Sequence, residues 1–76
     1  MKKITIYSTP VCKWCKVAKD YFKTNNLEYT EIDVAGQPNE KTKMVELSGQ
    51  KGVPVIVIGE TIITGYDRSK IEEALK

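Results

Sequence analysis

Residues 3–34 carry a strand-like segment, a helical segment and a second strand-like segment, and this order constrains the fold more than any other feature of the sequence. Residues 3–7 (KITIY) are rich in β-branched and aromatic side chains, and the turn formers Ser8, Thr9 and Pro10 follow them. Apolar side chains then recur at helical spacing over residues 12–24, and residues 28–34 (EYTEIDV) alternate. A strand, a helix and a strand in succession predict two parallel strands joined by a right-handed crossover.

The second half of the chain continues with one helix, two strands and a last helix. The predicted elements are a helix over residues 38–47, a wholly apolar strand over 55–58, a hairpin partner over 61–64 and a helix over 67–75. The order βαβαββα predicts an α/β domain with a four-stranded mixed sheet and helices on both faces. A chain of 76 residues is too short to divide its apolar residues between two cores, so residues 1–76 are expected to form one domain.

The charged residues are interspersed along the chain and give a net charge of +2. This pattern lacks the basic face that nucleic-acid binding needs. The amino-terminal residues have no apolar run of signal-peptide length, and no segment approaches the roughly 20 apolar residues that span a bilayer. We therefore expect a soluble, cytoplasmic and monomeric protein that binds neither nucleic acid nor membrane.

The chemistry of the chain is concentrated in its two cysteines, Cys12 and Cys15. In a cytoplasmic protein a pair at this spacing is more often catalytic or metal-binding than structural. Cys12 falls where the loop gives way to a helix, so free backbone N–H groups and the positive end of the helix dipole favour its thiolate. Lys13 and Lys16 add positive charge, and we expect a pKa for Cys12 below its usual value of about 8.5. Cys15, one turn later, is expected to be more buried, which makes Cys12 the attacking thiol and Cys15 the resolving one.

Other uses of a cysteine pair remain as alternatives. Zinc or an iron–sulfur cluster would need a second chain, because this chain has no histidine and no further cysteine, and we expect no metal. Copper chaperones normally carry methionine two residues before the first cysteine, where this chain has Pro10. A purely structural disulfide would close too small a loop to constrain the unfolded chain.

Pro54 precedes the apolar strand over residues 55–58 and can simply start that strand, since proline removes a ladder donor. Together with the upstream cysteine pair in a βαβαββα chain, it predicts a cis peptide bond between Val53 and Pro54. A cis bond would bring the backbone of Val53 next to the two sulfurs. The N–H and C=O of Val53 would then pair with an extended substrate segment.

Three segments, ITIYSTPVCKWC, GVPVIVIG and ITGYDRSKIEEAL, stand in an order and spacing that resemble the glutaredoxin family over essentially the whole chain. The resemblance implies the thioredoxin-like fold and a thiol–disulfide oxidoreductase that serves cell redox homeostasis and electron transport. It implies that Cys12 is the nucleophile, Cys15 the resolving thiol and Pro54 the cis-proline. Glutathione contacts would fall on the backbone of Val53 and on the turn Gly65-Tyr66-Asp67.

The chain departs from the family pattern at three places. Thr9 stands where many glutaredoxins have a lysine that meets a glutathione carboxylate, and Lys13 replaces the usual proline. Lys13 or Lys51 would have to supply the missing charge. In the turn before the last helix, the aromatic Tyr66 followed by Arg68 is similar to redoxins that serve ribonucleotide reductase and are reduced by thioredoxin reductase.

Several other side chains have expected places. Trp14 should be exposed beside Cys12, either incidentally or as part of a substrate groove, whereas Tyr7 should pack at the end of the first strand. Asp67 should cap the last helix and, through its other lone pairs, hold the glutathione amino group. The expected function is reduction of disulfide-containing or glutathionylated proteins without a bound cofactor. Glutathione is the expected reductant and thioredoxin reductase the alternative.

Overall fold

The computed structural model describes residues 3–50 and 52–76. Its elements, in chain order, are β1 (Ile4–Ser8), α1 (Lys13–Thr24), β2 (Thr30–Asp33), α2 (Pro38–Ser48), β3 (Val55–Ile58), β4 (Thr61–Thr64) and α3 (Arg68–Leu75). The predicted order βαβαββα and the thioredoxin-like fold are confirmed. Several boundaries differ from the predicted ones by one or two residues. Cys12 and Asp67 are the N-caps of α1 and α3 and so lie just outside the helices, and β2 begins at Thr30 instead of residue 28.

The four strands form an open sheet in the order β2-β1-β3-β4. β1 runs parallel to β2, as the crossover through α1 requires, and antiparallel to β3, which pairs antiparallel with β4. At the centre of β1, Ile6 lies opposite Glu31 on one side and Ile56 on the other. Because β1 is central, the loop that follows it carries Cys12 to the middle of one end of the sheet.

One face of the sheet is covered by α1 and α3. Ala18 and Phe22 lie on the buried face of α1 at helical spacing, and they meet alternate side chains of β1. The buried cluster consists of Ile4, Ile6, Ala18, Phe22, Ile56, Ile58, Ile63, Ile71 and Ala74. This larger core holds α1, and therefore the cysteine pair at its start, against the sheet.

The opposite face is covered by α2 and has a smaller core. Tyr7, Val34, Met44 and Val55 form its buried cluster, which confirms the expected packing of Tyr7. Met44 is the one side chain of α2 that is fully buried. The helix ends at Gly49, whose positive φ of 71° suits glycine and whose N–H donates to the Val45 carbonyl at 2.7 Å.

The helices of the described ranges, 3–50 and 52–76, include none long and apolar enough to cross a membrane.

Candidate active site

Cys12 and Cys15 are joined by a disulfide, with their Cα atoms 5.2 Å apart. Cys12 has extended backbone at the N-cap of α1, and its Sγ accepts a hydrogen bond from the Cys15 N–H at 3.1 Å. Cys15 is fully buried, as predicted, whereas Cys12 is partly exposed. Of the two cysteines, Cys12 is therefore the one that a substrate can reach.

The surroundings of Cys12 favour negative charge on its sulfur. The first turn of α1 contains no acidic residue, and Lys13 and Lys16 are both exposed there. Free N–H groups at a helix start attract anions, and nearby ammonium groups act in the same sense. After reduction, a thiolate at Cys12 would keep the Cys15 N–H as a donor.

The peptide bond between Val53 and Pro54 is cis, as the sequence predicts. Pro54 is buried directly before β3, and its carbonyl accepts the Gly65 N–H at 2.8 Å. This hydrogen bond ties the Pro54 loop to the turn that begins α3. Val53 is half-buried, and its pairing with substrate stays a prediction.

The turn Gly65-Tyr66-Asp67 reaches the cysteine pair through aromatic stacking. The rings of Tyr66 and Trp14 are nearly parallel, at 14°, with centroids 6.0 Å apart. Gly65 has a φ of 79°, and the Asp67 carboxylate caps α3 by accepting the Lys70 N–H at 3.1 Å, as predicted. Predicted site residues far apart in the sequence are thus brought together.

The turn is also fixed from α1 at a second point. The guanidinium of Arg68 lies over the ring of Tyr21, 5.9 Å from its centroid, and pairs with Glu72 one turn later. Burial is the main cause that raises the pKa of Tyr21, and the Glu72 carboxylate adds to it. Two contacts therefore connect α1 with the start of α3: Trp14 of α1 stacks on Tyr66, and Tyr21 of α1 lies under Arg68.

A polar network that the sequence analysis missed attaches α1 to the sheet. The buried hydroxyl of Ser8 donates to the Glu31 carboxylate at 2.8 Å, and Lys19 Nζ donates to the same oxygen at 2.7 Å. These donors, Lys19 foremost, lower the pKa of Glu31. The contact depends on the parallel register, which puts Glu31 opposite Ile6 on the α1 face and which no sequence pattern fixed in advance.

Two residues of the predicted glutathione site remain, Thr9 and Lys51. Thr9 is half-buried, and its carbonyl accepts the Cys12 N–H at 3.3 Å. Lys51, offered as a substitute charge, lies outside the described residues.

Other candidate ligand sites lie away from the cysteines. A cleft of about 930 Å³ opens at the opposite end of β1, lined by Lys3, Leu27, Tyr29 and Leu75 among others. Within residues 3–50 and 52–76, no three His, Cys, Asp or Glu side chains stand close enough to hold a metal ion.

Comparison with known proteins gives a consistent assignment. The glutaredoxin family model matches residues 4–63. An uncharacterised glutaredoxin-like 8.6 kDa protein of the rubredoxin operon of Clostridium pasteurianum is 42% identical over 73 residues, covering 96% of this chain and 97% of the relative. A glutaredoxin from Neisseria meningitidis is 37% identical, covering 87% and 79% of the two chains.

Two further matches bear on subtype and fold. The glutaredoxin-like protein NrdH of Lactococcus lactis is 28% identical, covering 90% of this chain and 93% of the relative. The crystal structure of a glutaredoxin from Archaeoglobus fulgidus superposes with a TM-score of 0.89, covering 100% and 88% of the two chains at 23% identity. The last match concerns the fold alone.

Proposed function

The chain belongs to the glutaredoxin family and is a thiol–disulfide oxidoreductase with a CxxC pair, and on this premise we propose that Cys12 is the nucleophile and Cys15 the resolving thiol. The observation that carries the proposal is the difference in burial: Cys12 is partly exposed at a helix start, and Cys15 is fully buried. A thiolate that attacks a substrate disulfide has to be reachable, whereas one that attacks within the chain does not.

The cycle exchanges disulfides without a bound cofactor. The Cys12 thiolate attacks one sulfur of the substrate disulfide, and the other sulfur leaves as a thiolate. The Cys15 thiolate then attacks the Cys12 sulfur of the mixed disulfide. The second substrate thiolate leaves, and the Cys12–Cys15 disulfide holds the oxidising equivalents. The substrate gains two electrons and the cysteine pair loses two.

The proposed substrates are protein disulfides and protein–glutathione mixed disulfides. The backbone of Val53, beside the cis-proline, would pair with an extended substrate segment. The turn Gly65-Tyr66-Asp67 would contact the glutathione part, with the Asp67 carboxylate facing its amino group while it caps α3. The chemistry suits a reducing compartment, and the proposal places the protein in the cytoplasm as a monomer.

Glutathione is the proposed reductant of the Cys12–Cys15 disulfide, with weak affinity. Thr9 offers no charge to a glutathione carboxylate, and a charge-assisted hydrogen bond contributes about 1.5–3 kcal/mol. That loss corresponds to roughly one to two decades in affinity. Lys13 is exposed beside Cys12 and would replace part of the missing attraction.

A second candidate donor is a flavoprotein of the thioredoxin reductase kind. The observation that favours it is the stacking of Tyr66 on Trp14. Tyr66 belongs to the turn expected to contact glutathione, and the stack leaves less of its ring for that contact. The similarity to a protein named NrdH supports the same candidate. A reductase would deliver electrons through protein contact and would not need the missing lysine.

Reduction of the oxidised protein tests the donor directly. We expect glutathione with glutathione reductase and NADPH to reduce Cys12–Cys15 slowly, and Thr9→Lys to improve the apparent affinity for glutathione. If Thr9→Lys leaves the apparent affinity for glutathione unchanged and thioredoxin reductase readily reduces the wild-type disulfide, glutathione is excluded as the main electron donor. Cys12→Ser should abolish all activity, and Cys15→Ser should keep only the reduction of glutathionylated substrates.

A further inference from the structure

We propose that the exposed side chains on either side of Cys12 form a docking surface for acidic protein partners whose disulfide is flanked by an aromatic or large apolar residue. The surface consists of Val11, Trp14, Lys13 and Lys16, with Tyr66 as the residue that positions Trp14. The inference rests on the proposed function and names the substrate class of the same site. The occupant proposed for the apolar part of this surface, Val11 and Trp14, is a protein substrate.

Exposed apolar side chains are concentrated around the nucleophile. Four large apolar residues are exposed in the described part of the chain, and two of them, Val11 and Trp14, flank Cys12. Val11 is 93% exposed and Trp14 is 57% exposed. Side chains of this kind beside a reactive sulfur gain free energy when a partner covers them. Glutathione has no aromatic or large apolar side chain with which to cover them.

The indole of Trp14 is held in place by Tyr66. Tyr66 stacks against it at 14° and itself packs on the larger core. The turn that carries Tyr66 is fixed by the Gly65–Pro54 hydrogen bond and by the Asp67 cap of α3. Because Trp14 stays more than half exposed in spite of the stack, its outer side is open to a second ring. A ring fixed before binding costs less ordering entropy when the partner arrives.

The charges that the start of α1 places beside this apolar surface are positive. Lys13 and Lys16 are exposed at the start of α1, and the first turn of the helix contains no acidic residue. The ion pair that α1 makes with the sheet uses Lys19, which lies further along the helix. A partner with carboxylates near its disulfide would thus be attracted, and the attraction would weaken with salt.

In the mixed disulfide, the partner's cysteine is bonded to Cys12, and the residue next to that cysteine reaches the open side of Trp14. Contact there stabilises the intermediate and the transition states on either side of it. An aromatic pair contributes about 0.5–1.5 kcal/mol, so a preference of roughly threefold to tenfold in rate is expected for an aromatic neighbour over alanine.

Symmetrical peptide disulfides measure this preference. In a dimer of Glu-Phe-Cys-Gly both sulfurs are equivalent, so the attacked cysteine is always next to phenylalanine; dimers of Glu-Ala-Cys-Gly and Lys-Phe-Cys-Gly are the comparisons. Reduced protein is mixed with each dimer, and the reaction is followed in a single turnover by acid quenching. We expect the phenylalanine dimer to react threefold to tenfold faster than the alanine dimer. We also expect the glutamate form to react faster than the lysine form at low salt only.

Variants assign the preference to the named residues. Trp14→Ala should bring the phenylalanine-to-alanine ratio close to one, and Tyr66→Ala should lower it and shift the emission of the single tryptophan to the red. Tyr66→Phe keeps a ring and should restore both the ratio and the emission. Leu47→Ala, which removes an exposed apolar side chain on the opposite face, should keep the wild-type ratio.

The outcomes separate the two proposals. If reduced wild type reacts with none of the dimers, the proposed function fails. If it reacts with the phenylalanine and alanine dimers at equal rates, or if Trp14→Ala keeps the preference, the docking surface is refuted while the proposed function stands.

Discussion

Replacing Glu31 should show how much the polar network beneath α1 contributes to stability. Its carboxylate accepts hydrogen bonds from Ser8 and Lys19, and so links β2 both to the end of β1 and to the helix that carries the cysteines. Ser8 is 1% exposed, so in Glu31→Ala its hydroxyl loses its partner while it stays buried. An unsatisfied buried donor costs about 1–3 kcal/mol, and the exposed pair with Lys19 adds about 0.2–1 kcal/mol.

The expected loss for Glu31→Ala is therefore about 2 kcal/mol. In a domain of this size, 1 kcal/mol lowers Tm by about 4–8 °C, so thermal unfolding of the reduced protein should shift by roughly 8–16 °C. Ser8→Ala removes the donor together with its need for a partner and should cost less, about 1 kcal/mol. Glu28→Ala, an exposed glutamate three residues away, is the matched control and should change Tm little.

The double variant supplies the decisive comparison. In the Ser8→Ala background, Glu31→Ala should lower the free energy of unfolding only by the contribution of the Lys19–Glu31 ion pair, which is below about 1 kcal/mol. If Glu31→Ala costs the same with and without Ser8, the buried hydroxyl does not depend on the carboxylate and the reasoning is wrong.

The same residue predicts a dependence on pH. The hydrogen bonds from Lys19 and then Ser8 hold the pKa of Glu31 in the folded protein below its ordinary value of 4.5. A lowered pKa means that the stabilisation is present above about pH 4.5 and is lost as the pH falls through the folded value. The stability difference between wild type and Glu31→Gln should therefore shrink in acid. A difference that is constant from neutral pH to about pH 2 would contradict this assignment.

Three further predictions concern helix ends. Asp67→Ala should destabilise the protein by about 1 kcal/mol in denaturant unfolding, with Asp67→Asn retaining most of the stability because asparagine also caps; equal losses would contradict the cap. Gly49→Ala should cost about 1 kcal/mol because of the positive φ at the end of α2, while Gly36→Ala, at a glycine without positive φ, serves as the control. Iodoacetamide should alkylate Cys12 much faster than Cys15 near neutral pH, and Lys13→Gln with Lys16→Gln should slow it less than tenfold; equal rates at the two cysteines would refute the role of the helix start.

Local sequence patterns were sufficient to predict the helices and strands and the position of the cysteine pair at the start of α1. The helical spacing of Cys15, Ala18 and Phe22 predicts both the helix and its buried face, and the structure confirms this. The start of β2 could not be located in this way, because the alternation of apolar and polar residues begins at residue 28, before the first residue that pairs with β1. The first pair with β1 is Thr5 with Thr30, and Tyr29 instead contacts Phe22.

Contacts that depend on register and on a distant turn were beyond the sequence. The bond between Ser8 and Glu31 requires knowledge of which residues lie opposite each other in the parallel pair. Trp14 and Tyr66 were each placed near the site, but their stacking depends on how the turn before α3 meets α1. The roles of Thr9, Val53 and the turn in glutathione binding stay predictions.

The unequal cover of the sheet has a consequence for partial unfolding. α2 is anchored through Met44 on the smaller core, whereas the cysteine pair rides on α1 over the larger one. Opening α2 alone exposes the smaller core and leaves the larger one intact, so it should cost less free energy than global unfolding. Backbone amide hydrogens of α2 should then exchange with solvent through brief local openings. Those of β1 and β3 should exchange only when the whole domain unfolds. Since α2 lies on the face away from α1, such openings would leave α1, with Cys15 and the adjoining Cys12, packed on the larger core.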